Sequence, residues 1–409
     1  MIVRFPIKCL TCEKPHTVRI GMGQEEHQNH RFHCRGCDEF IELRMEVNYK
    51  ELSHRVVCIE NCEPIAEVLG APIVNVDANF LIPEEQQGVD RVFPRLNQMQ
   101  QIFSSAEKAG SLVNLSKLSD EQIKSRPFRR PDYAGEWELL KRAWSLARND
   151  QLKLSKKKIL EASSTLYPND PLKNLQDWIW RHALFSCQPG YEADFQNAMR
   201  MIEKLGESIF IPEFAKMYDS ILAERGSKYF DLMKEFYSSF SEFGQVFFSV
   251  VRKINLPTDH IATSSNFDAV KMFYGNAYEH FTSLVEVLAL LNNMLSGRGH
   301  DKFQKLTLEG YRALDKSSRF GPFAMNAPFV AICSEADNQI RNASHHGSFV
   351  FEPKLQIINY RSGKGGTGPL MSMSYVSYLE RCVKIYLQTM TLLRIDLILS
   401  LNLRIRPPV

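Results

Sequence analysis

Several things are missing from this 409-residue chain, and each absence removes a class of explanation. No uninterrupted apolar stretch reaches about 18 residues, which argues against a membrane span. The start, MIVRFPIKCLTC, carries no apolar run of signal-peptide length, no membrane partner is expected, and the distribution of cysteines is that of a reducing compartment, so the chain is expected in the cytoplasm. Charge of one sign is not in excess. With 50 Lys and Arg against 47 Asp and Glu the net charge is +3, so any nucleic-acid binding has to come from local basic patches. No repeat of fixed period recurs, which excludes a solenoid. Neither a phosphate loop nor a metal-binding carboxylate motif is found, which weakens a nucleotidyl- or phosphotransferase reading. Disulfide scaffolding is also absent as a pattern. Four of the nine cysteines form two tight pairs, Cys58 and Cys62 form a looser one, and Cys187, Cys333 and Cys382 stand apart in apolar surroundings. A small secreted scaffold spreads its cysteines over a short chain instead.

What is present divides into regions. Residues 1–60 read as short strands and turns, with Val18–Ile20 and Phe40–Val47 as strands. Residues 61–131, interrupted by six prolines, read as a connector of mixed structure with one helical stretch over 95–109. From Tyr133 apolar residues recur at three- and four-residue steps, as in Trp137, Leu140, Trp144 and Ala147. The expected helices are 155–166, 171–186, 192–205, 211–224 and 227–254, then 267–296, 301–315, 324–346 and 376–403. Residues 132–256 form a helical middle region and 257–409 a C-terminal helical domain. Lys354–Arg361 alternates and Leu370–Tyr375 returns, so a β-hairpin is inserted at about 354–375. The last helix is very apolar but carries Arg394 and Asp396, and reads as buried core. The expected class is mainly α, with a small β region at the N-terminus.

Cys9-x2-Cys12 and Cys34-x2-Cys37 are separated by 21 residues, 13 to 33. Two such turns facing each other complete a thiolate tetrahedron around one zinc ion, and strands joining them make a zinc ribbon. All four positions are cysteine, so the ion has no open site and serves the fold. His16, His27, His30 and His33 lie between the pairs. Either of the last two is a substitute ligand, but exposed loop positions are the simpler expectation. The ribbon's partner, protein or nucleic acid, is not legible. Cys58 and Cys62 lack partners, although His54 is nearby, and read as structural or incidental.

The glycine-rich stretch SGKGGTGP, 362–369, lacks the spacing of a Walker loop and lies between two expected strands. It reads as a hairpin tip whose Arg361 and Lys364 can touch a phosphate backbone. Basic runs at Lys124–Arg130 and Lys153–Lys158 read as solvated faces, with RNA contact as the alternative.

The segment IRNASHHGSF, 340–349, closes an expected helix. Gly347 sits where a C′ residue belongs, and His345 and His346 suit the negative end of the helix dipole. Capping does not explain Arg341 and Asn342, since Asn is a mediocre helix former. Arg341-Asn342-x-x-x-His346 resembles the R-N-x-x-x-H signature of the HEPN superfamily. The likeness extends to the helices before it, to Glu335 and Asp337 just upstream, and to the hairpin and last helix after it. It covers about 265–405.

The resemblance implies a HEPN-like helical bundle with an inserted hairpin and a metal-independent endoribonuclease, usually a homodimer with two motifs in one cleft. It makes His346 the general acid/base, Arg341 the group that steadies the scissile phosphate, and Asn342 an orienting residue. The products would be 2′,3′-cyclic phosphates from tRNA or mRNA, and look-alikes are commonly toxins or antiviral defence effectors. The chemistry agrees, because 2′-hydroxyl attack needs proton transfer near neutral pH and a planar cation on the phosphate oxygens. Five residues on an ideal helix turn about 500°, which leaves Arg341 and His346 about 140° apart. Either the last turn unwinds toward Gly347 or two chains contribute to one cleft. His345, four residues from Arg341, would share its face, and it stands where look-alikes often carry a small residue. Asp337 is placed to pair with Arg341 at i, i+4. The competing reading is a non-catalytic nucleic-acid- or protein-binding scaffold that keeps a HEPN-like dimerisation domain.

Overall fold

The computed structural model describes residues 2–90 except 24 and 50, residues 132–409 except 210, 264 and 265, and residues 96, 100 and 104 in between. The basic run Lys124–Arg130 and most of the expected helix over 95–109 lie outside the described residues. The fold is mainly α with a small N-terminal β region. The chain divides into two units. One comprises Met1–Ser119, Ser239–Met272 and Asn342–Val383; the other comprises Asp120–Ser238, Phe273–Arg341 and Lys384–Val409.

In the first unit, strands β1 (Ile2–Cys9) and β2 (Pro15–Gly21) form an antiparallel hairpin, as do β3 (His27–His33) and β4 (Phe40–Asn48). Strand β5 (Ser53–Glu60) joins β4, and β6 (Cys62–Pro64) joins β1. The β region extends past residue 60. Strand β7 (Ile73–Asp77), in the stretch expected to be a connector, runs parallel to β2 and completes the order β6-β1-β2-β7. Strand β8 (Ile82–Pro83) pairs with β9 (His260–Ile261). The strands of the N-terminal β region share a hydrophobic core, with Ile7, Val18, Ile20, Ile41, Leu43, Met45 and Val74 buried. Glu242 on the helix Phe240–Val251 is buried, and its carboxylate accepts from the Asn266 amide at 2.8 Å and the Tyr375 hydroxyl at 2.9 Å.

Further along lies a sheet in the order β10 (Val350–Glu352), β11 (Ile357–Arg361), β12 (Leu370–Ser374). The hairpin is therefore three-stranded. Three residues of β10 are too few for alternation to mark them in sequence.

The second unit is helical. Its helix Tyr133–Arg148 buries Trp137, Leu140 and Trp144 of the expected stripe, together with Ala143, while Ala147 is half-buried, and Asp132 caps the helix through the Gly135 amide. A fully buried ion pair holds the helix Pro212–Ser238 to the terminal helix Tyr375–Leu403. Asp396 accepts from Arg225 Nε at 2.7 Å, from Tyr229 at 2.7 Å and from Tyr218 at 2.5 Å. Burying a carboxylate is tolerable when its lone pairs are filled in this way. Asp396 and Arg394 are thus core residues, as the apolar run around them suggested. Among the described residues no helix is long and apolar enough to cross a membrane.

Several expected helices are cut differently. The stretch 227–254 is divided at Ser239 between Pro212–Ser238 and Phe240–Val251. The stretch 267–296 is three helices, Phe267–Val270, Phe273–Leu284 and Glu286–Leu295. Of 301–315 only Leu308–Arg312 is α-helical, and 324–346 is broken into Ala327–Ile332 and Asn338–His345. Apolar periodicity alone does not mark such breaks.

Candidate functional sites

The four paired cysteines meet. Their sulfurs all lie within 4.8 Å of one another, with Cys12–Cys34 at 3.5 Å and Cys9–Cys37 at 3.7 Å. An ion with four thiolates at about 2.3 Å needs sulfur–sulfur edges of about 3.8 Å, whereas a disulfide needs about 2.05 Å. The set can therefore hold a metal ion, and all four are free thiols.

The two turns are built alike. The Glu13 amide donates to the Cys9 carbonyl at 2.9 Å and the Asp38 amide to the Cys34 carbonyl at 2.9 Å. The Cys9 and Cys34 amides in turn donate five residues ahead, to Lys14 and Glu39. Glu13 and Asp38, each following the second cysteine of its pair, take left-handed φ of 60° and 67°. Gly36 is required by space, since a Cβ there would lie 3.0 Å from Cys12 Sγ and 2.7 Å from Lys14 Cδ. The Gly36 amide donates to Cys34 Sγ at 3.3 Å. Burial would raise the Cys9 thiol, but the Cys12 and Thr11 amides outweigh it and bring it down to about 7.

The intervening histidines lie on strands rather than in loops, and of them only His27 is exposed. His27–His33 is strand β3, and His30 is fully buried with neither ring nitrogen hydrogen-bonded. Its odd-numbered neighbours face outward, so strand parity decides its burial, which a loop assignment could not reveal. His16, also buried, accepts from the Arg35 amide through Nε2 at 3.1 Å and lies 3.7 Å from Cys34 Sγ. It supports the second turn, a role that its sequence position did not suggest. Cys62 lies opposite Cys9 in the β1–β6 pairing and bonds the Glu42 carbonyl at 3.6 Å.

The R-N-x-x-x-H motif spans the division between the units, with Arg341 the last residue of its segment in one and Asn342 the first in the other. Both lie on the helix Asn338–His345. Asp337 caps this helix, its Oδ1 accepting from the Gln339 amide at 2.8 Å and the Ile340 amide at 3.4 Å. Ile340, Ala343 and Ser344 are its buried face. The α-type bond from the His346 amide to the Asn342 carbonyl persists at 3.0 Å, so the last turn does not unwind before His346. The Ser348 amide then bonds the Ala343 carbonyl at 3.1 Å, and Gly347 takes φ 64°. This is a Schellman ending. His346 is exposed and His345 half-buried.

Arg341 is half-buried and held by a residue that sequence reasoning missed. Its Nε donates to Glu279 Oε1 at 2.7 Å, and its Nη2 lies 2.5 Å from the same oxygen. Burial would raise the Glu279 carboxyl. Arg341, with help from Lys316, overrides that and holds it below the usual carboxylate range. Glu279 precedes Arg341 by 62 positions, and no local pattern links them. Glu335 is buried, its carbonyl accepting from the Tyr274 hydroxyl at 2.6 Å and its amide donating to Gln388. It is a buried residue that ties Tyr274 to Gln388.

The glycine-rich stretch lies between β11 and β12, as expected of a hairpin tip. Gly363, Gly365 and Gly366 take φ of 82°, 68° and 70°, and the exposed Arg361 reaches the Gly368 carbonyl at 3.4 Å. The Lys364 side chain lies outside what the structure describes. On the helix Leu152–Leu166, Lys153, Lys156, Lys157 and Lys158 are all exposed.

No family model, curated protein or solved structure matches this chain.

Proposed function

We propose that the protein is an endoribonuclease of the HEPN type that works without a catalytic metal, on tRNA or mRNA, as a homodimer in the cytoplasm. The observation that carries this reading is the treatment of the motif's two working groups. Arg341 is fixed by the Glu279 carboxylate, while His346 is left exposed at the end of the same helix. A guanidinium held in one orientation suits the in-plane binding of phosphate oxygens, and an accessible imidazole suits proton transfer at the 2′-oxygen or the leaving 5′-oxygen. In the reaction the 2′-oxygen bonds phosphorus, the 5′-oxygen leaves with a proton, and a 2′,3′-cyclic phosphate results. Because the turn stays helical up to His346, the angular offset from Arg341 favours one cleft made by two chains. Asn342 orients the substrate, and Arg361 and Lys364 stand as outlying backbone contacts. Toxin or antiviral roles follow only by resemblance.

The tetrathiolate holds one structural zinc. Its donor set of four sulfurs within 4.8 Å of one another supports this, and an ion there would tie the β1–β2 hairpin to β3–β4.

A second reading has an observation in its favour. The Schellman ending accounts for the Gly347 turn without any reaction, as a scaffold or dimerisation module would require. One assay separates the two. Purified protein is incubated with total tRNA and mRNA in EDTA, briefly enough that zinc content, measured in parallel, does not change. Cleavage with cyclic-phosphate ends, lost in His346→Ala and Arg341→Ala, is expected. Intact RNA with both variants folded would favour the scaffold.

A further inference from the structure

The Glu279 carboxylate that fixes Arg341 has a second cation on its other oxygen. Lys316 Nζ lies 3.5 Å from Glu279 Oε2 and donates to Ser283 Oγ at 3.0 Å. Arg319 closes on the same helix, its Nη1 donating to the Thr282 carbonyl at 3.3 Å and its Nη2 to the Arg312 carbonyl at 2.8 Å. Among the described residues no carboxylate lies within ion-pairing distance of Arg319. Three cations from two segments, Lys316 and Arg319 on 316–323 and Arg341 on Asn338–His345, thus gather over residues 279–283, with Glu279 shared between two of them. Burial and the nearby Arg319 charge both push the Lys316 amine down from its ordinary value, a sign of crowded positive charge. Two other carboxylates that act on Tyr278 together with Arg341 and Glu279 accept from backbone amides, Asp315 from Ser317 and Ser318, and Asp337 from Gln339. Phe320 follows Arg319, half-buried and stacked near Phe281 at 6.4 Å between centroids.

We propose that Lys316 and Arg319 form a subsite beside Arg341 that holds the phosphodiester backbone of single-stranded RNA, with Phe320 as a stacking surface for a base. The proposal rests on the nuclease reading, since it takes Arg341 as the contact to the scissile phosphate. Fixed cations beside an aromatic face are how proteins hold single strands, the cations meeting phosphates and the ring a base. A free phosphate or polyphosphate would use the cations alone.

The test is fluorescence-anisotropy binding of a 2′-O-methyl RNA oligonucleotide, which lacks the attacking hydroxyl and so reports binding without cleavage. Lys316→Gln is expected to weaken binding about five-fold, the factor for about 1 kcal/mol. The slope of log K against log salt should fall by about 0.7, the value for one single-strand phosphate contact. Lys316→Arg should retain affinity, Phe320→Leu should weaken it without changing the slope, and Lys216→Gln, an exposed lysine elsewhere, should do neither. Wild-type affinity and slope in Lys316→Gln overturn the proposal, as does a wild type that does not bind. Tripolyphosphate competing as well per phosphate as RNA overturns the assignment to RNA. If the oligonucleotide binds as expected while ordinary RNA stays intact, the nuclease reading falls and the subsite stands.

Discussion

Replacing Glu279 by Gln probes the motif without touching it. The carboxylate oxygen that takes both Nε and Nη2 of Arg341 becomes an amide oxygen of the same shape, and the charge is lost. A charge-assisted hydrogen bond is roughly twice as strong as a neutral one, and the pair is 28% and 29% exposed, so screening reduces the difference. The loss in folding stability should stay below about 1 kcal/mol. The effect on cleavage should be much larger. A guanidinium free to drift by about 1 Å from the phosphate costs about 100-fold in rate. The expected result is a fall of that order in single-turnover cleavage, with a urea midpoint close to wild type.

The pH dependence follows from the sign of the shift. Glu279 is held below its ordinary value, so its contribution is complete above about 4.5 and fades only as the pH drops through the lowered value. The ratio of wild-type to variant rates should therefore be flat between about pH 6 and 8. Full activity in Glu279→Gln, with Arg341→Ala inactive, would refute the positioning argument. So would a variant that loses several kcal/mol of stability, since the pair would then belong to the packing.

The remaining predictions concern other parts of the chain. Elemental analysis should find one zinc per chain, and Cys34→Ser should abolish it and melt the β sheets, read by circular dichroism; a folded, zinc-free variant refutes the structural role. Asp396→Asn should cost about 3–5 kcal/mol in urea unfolding, because it leaves the buried Arg225 without a counter-charge. Burial raises Glu242 to about 7 against the opposing bonds from Asn266 and Tyr375, so its stabilisation is full below about 4.5 and is lost as pH rises through 7. Glu242→Gln keeps both bonds and should make stability less steep over that window, by about 3 kcal/mol between its ends; an unchanged slope counts against it. Gly347→Ala meets no neighbouring atom, so only its left-handed φ is strained, and it should lose about 1 kcal/mol with cleavage retained.

How much of this was legible in the sequence depends on the range of the interaction. The cysteine turns are local, and Cys-x2-Cys spacing states its geometry outright. The helical character from Tyr133 onward is equally local. The places where helices break are less so, because apolar residues recur in the sequence on both sides of Ser239 and of residues 333–337. Strand β7 escaped notice because five residues of Ile73–Asp77 identify a strand only through their partner β2, about fifty positions away. The burial of His30 needed the register of β3 on β4. Glu279 has the least local signal of all: it looks like any helical glutamate until the fold brings Arg341 to it.

The question raised by two histidines before a glycine was whether they cap a helix or do chemistry. The main chain resolves the apparent conflict. The His346 amide is satisfied by the Asn342 carbonyl, and the Ala343 carbonyl by the Ser348 amide, so the ending is made by backbone groups and by the left-handed Gly347. Nothing in that arrangement calls for an imidazole. At the other end of the helix Asp337 caps through its side chain, and Arg341 donates to Glu279. Capping therefore explains Asp337 and Gly347 and stops there. Arg341, fixed by a carboxylate far away in sequence, and His346, exposed where a serine or lysine would end the helix as well, are the residues that helix stability leaves unexplained. Those are the two that a reaction at an RNA phosphate would use.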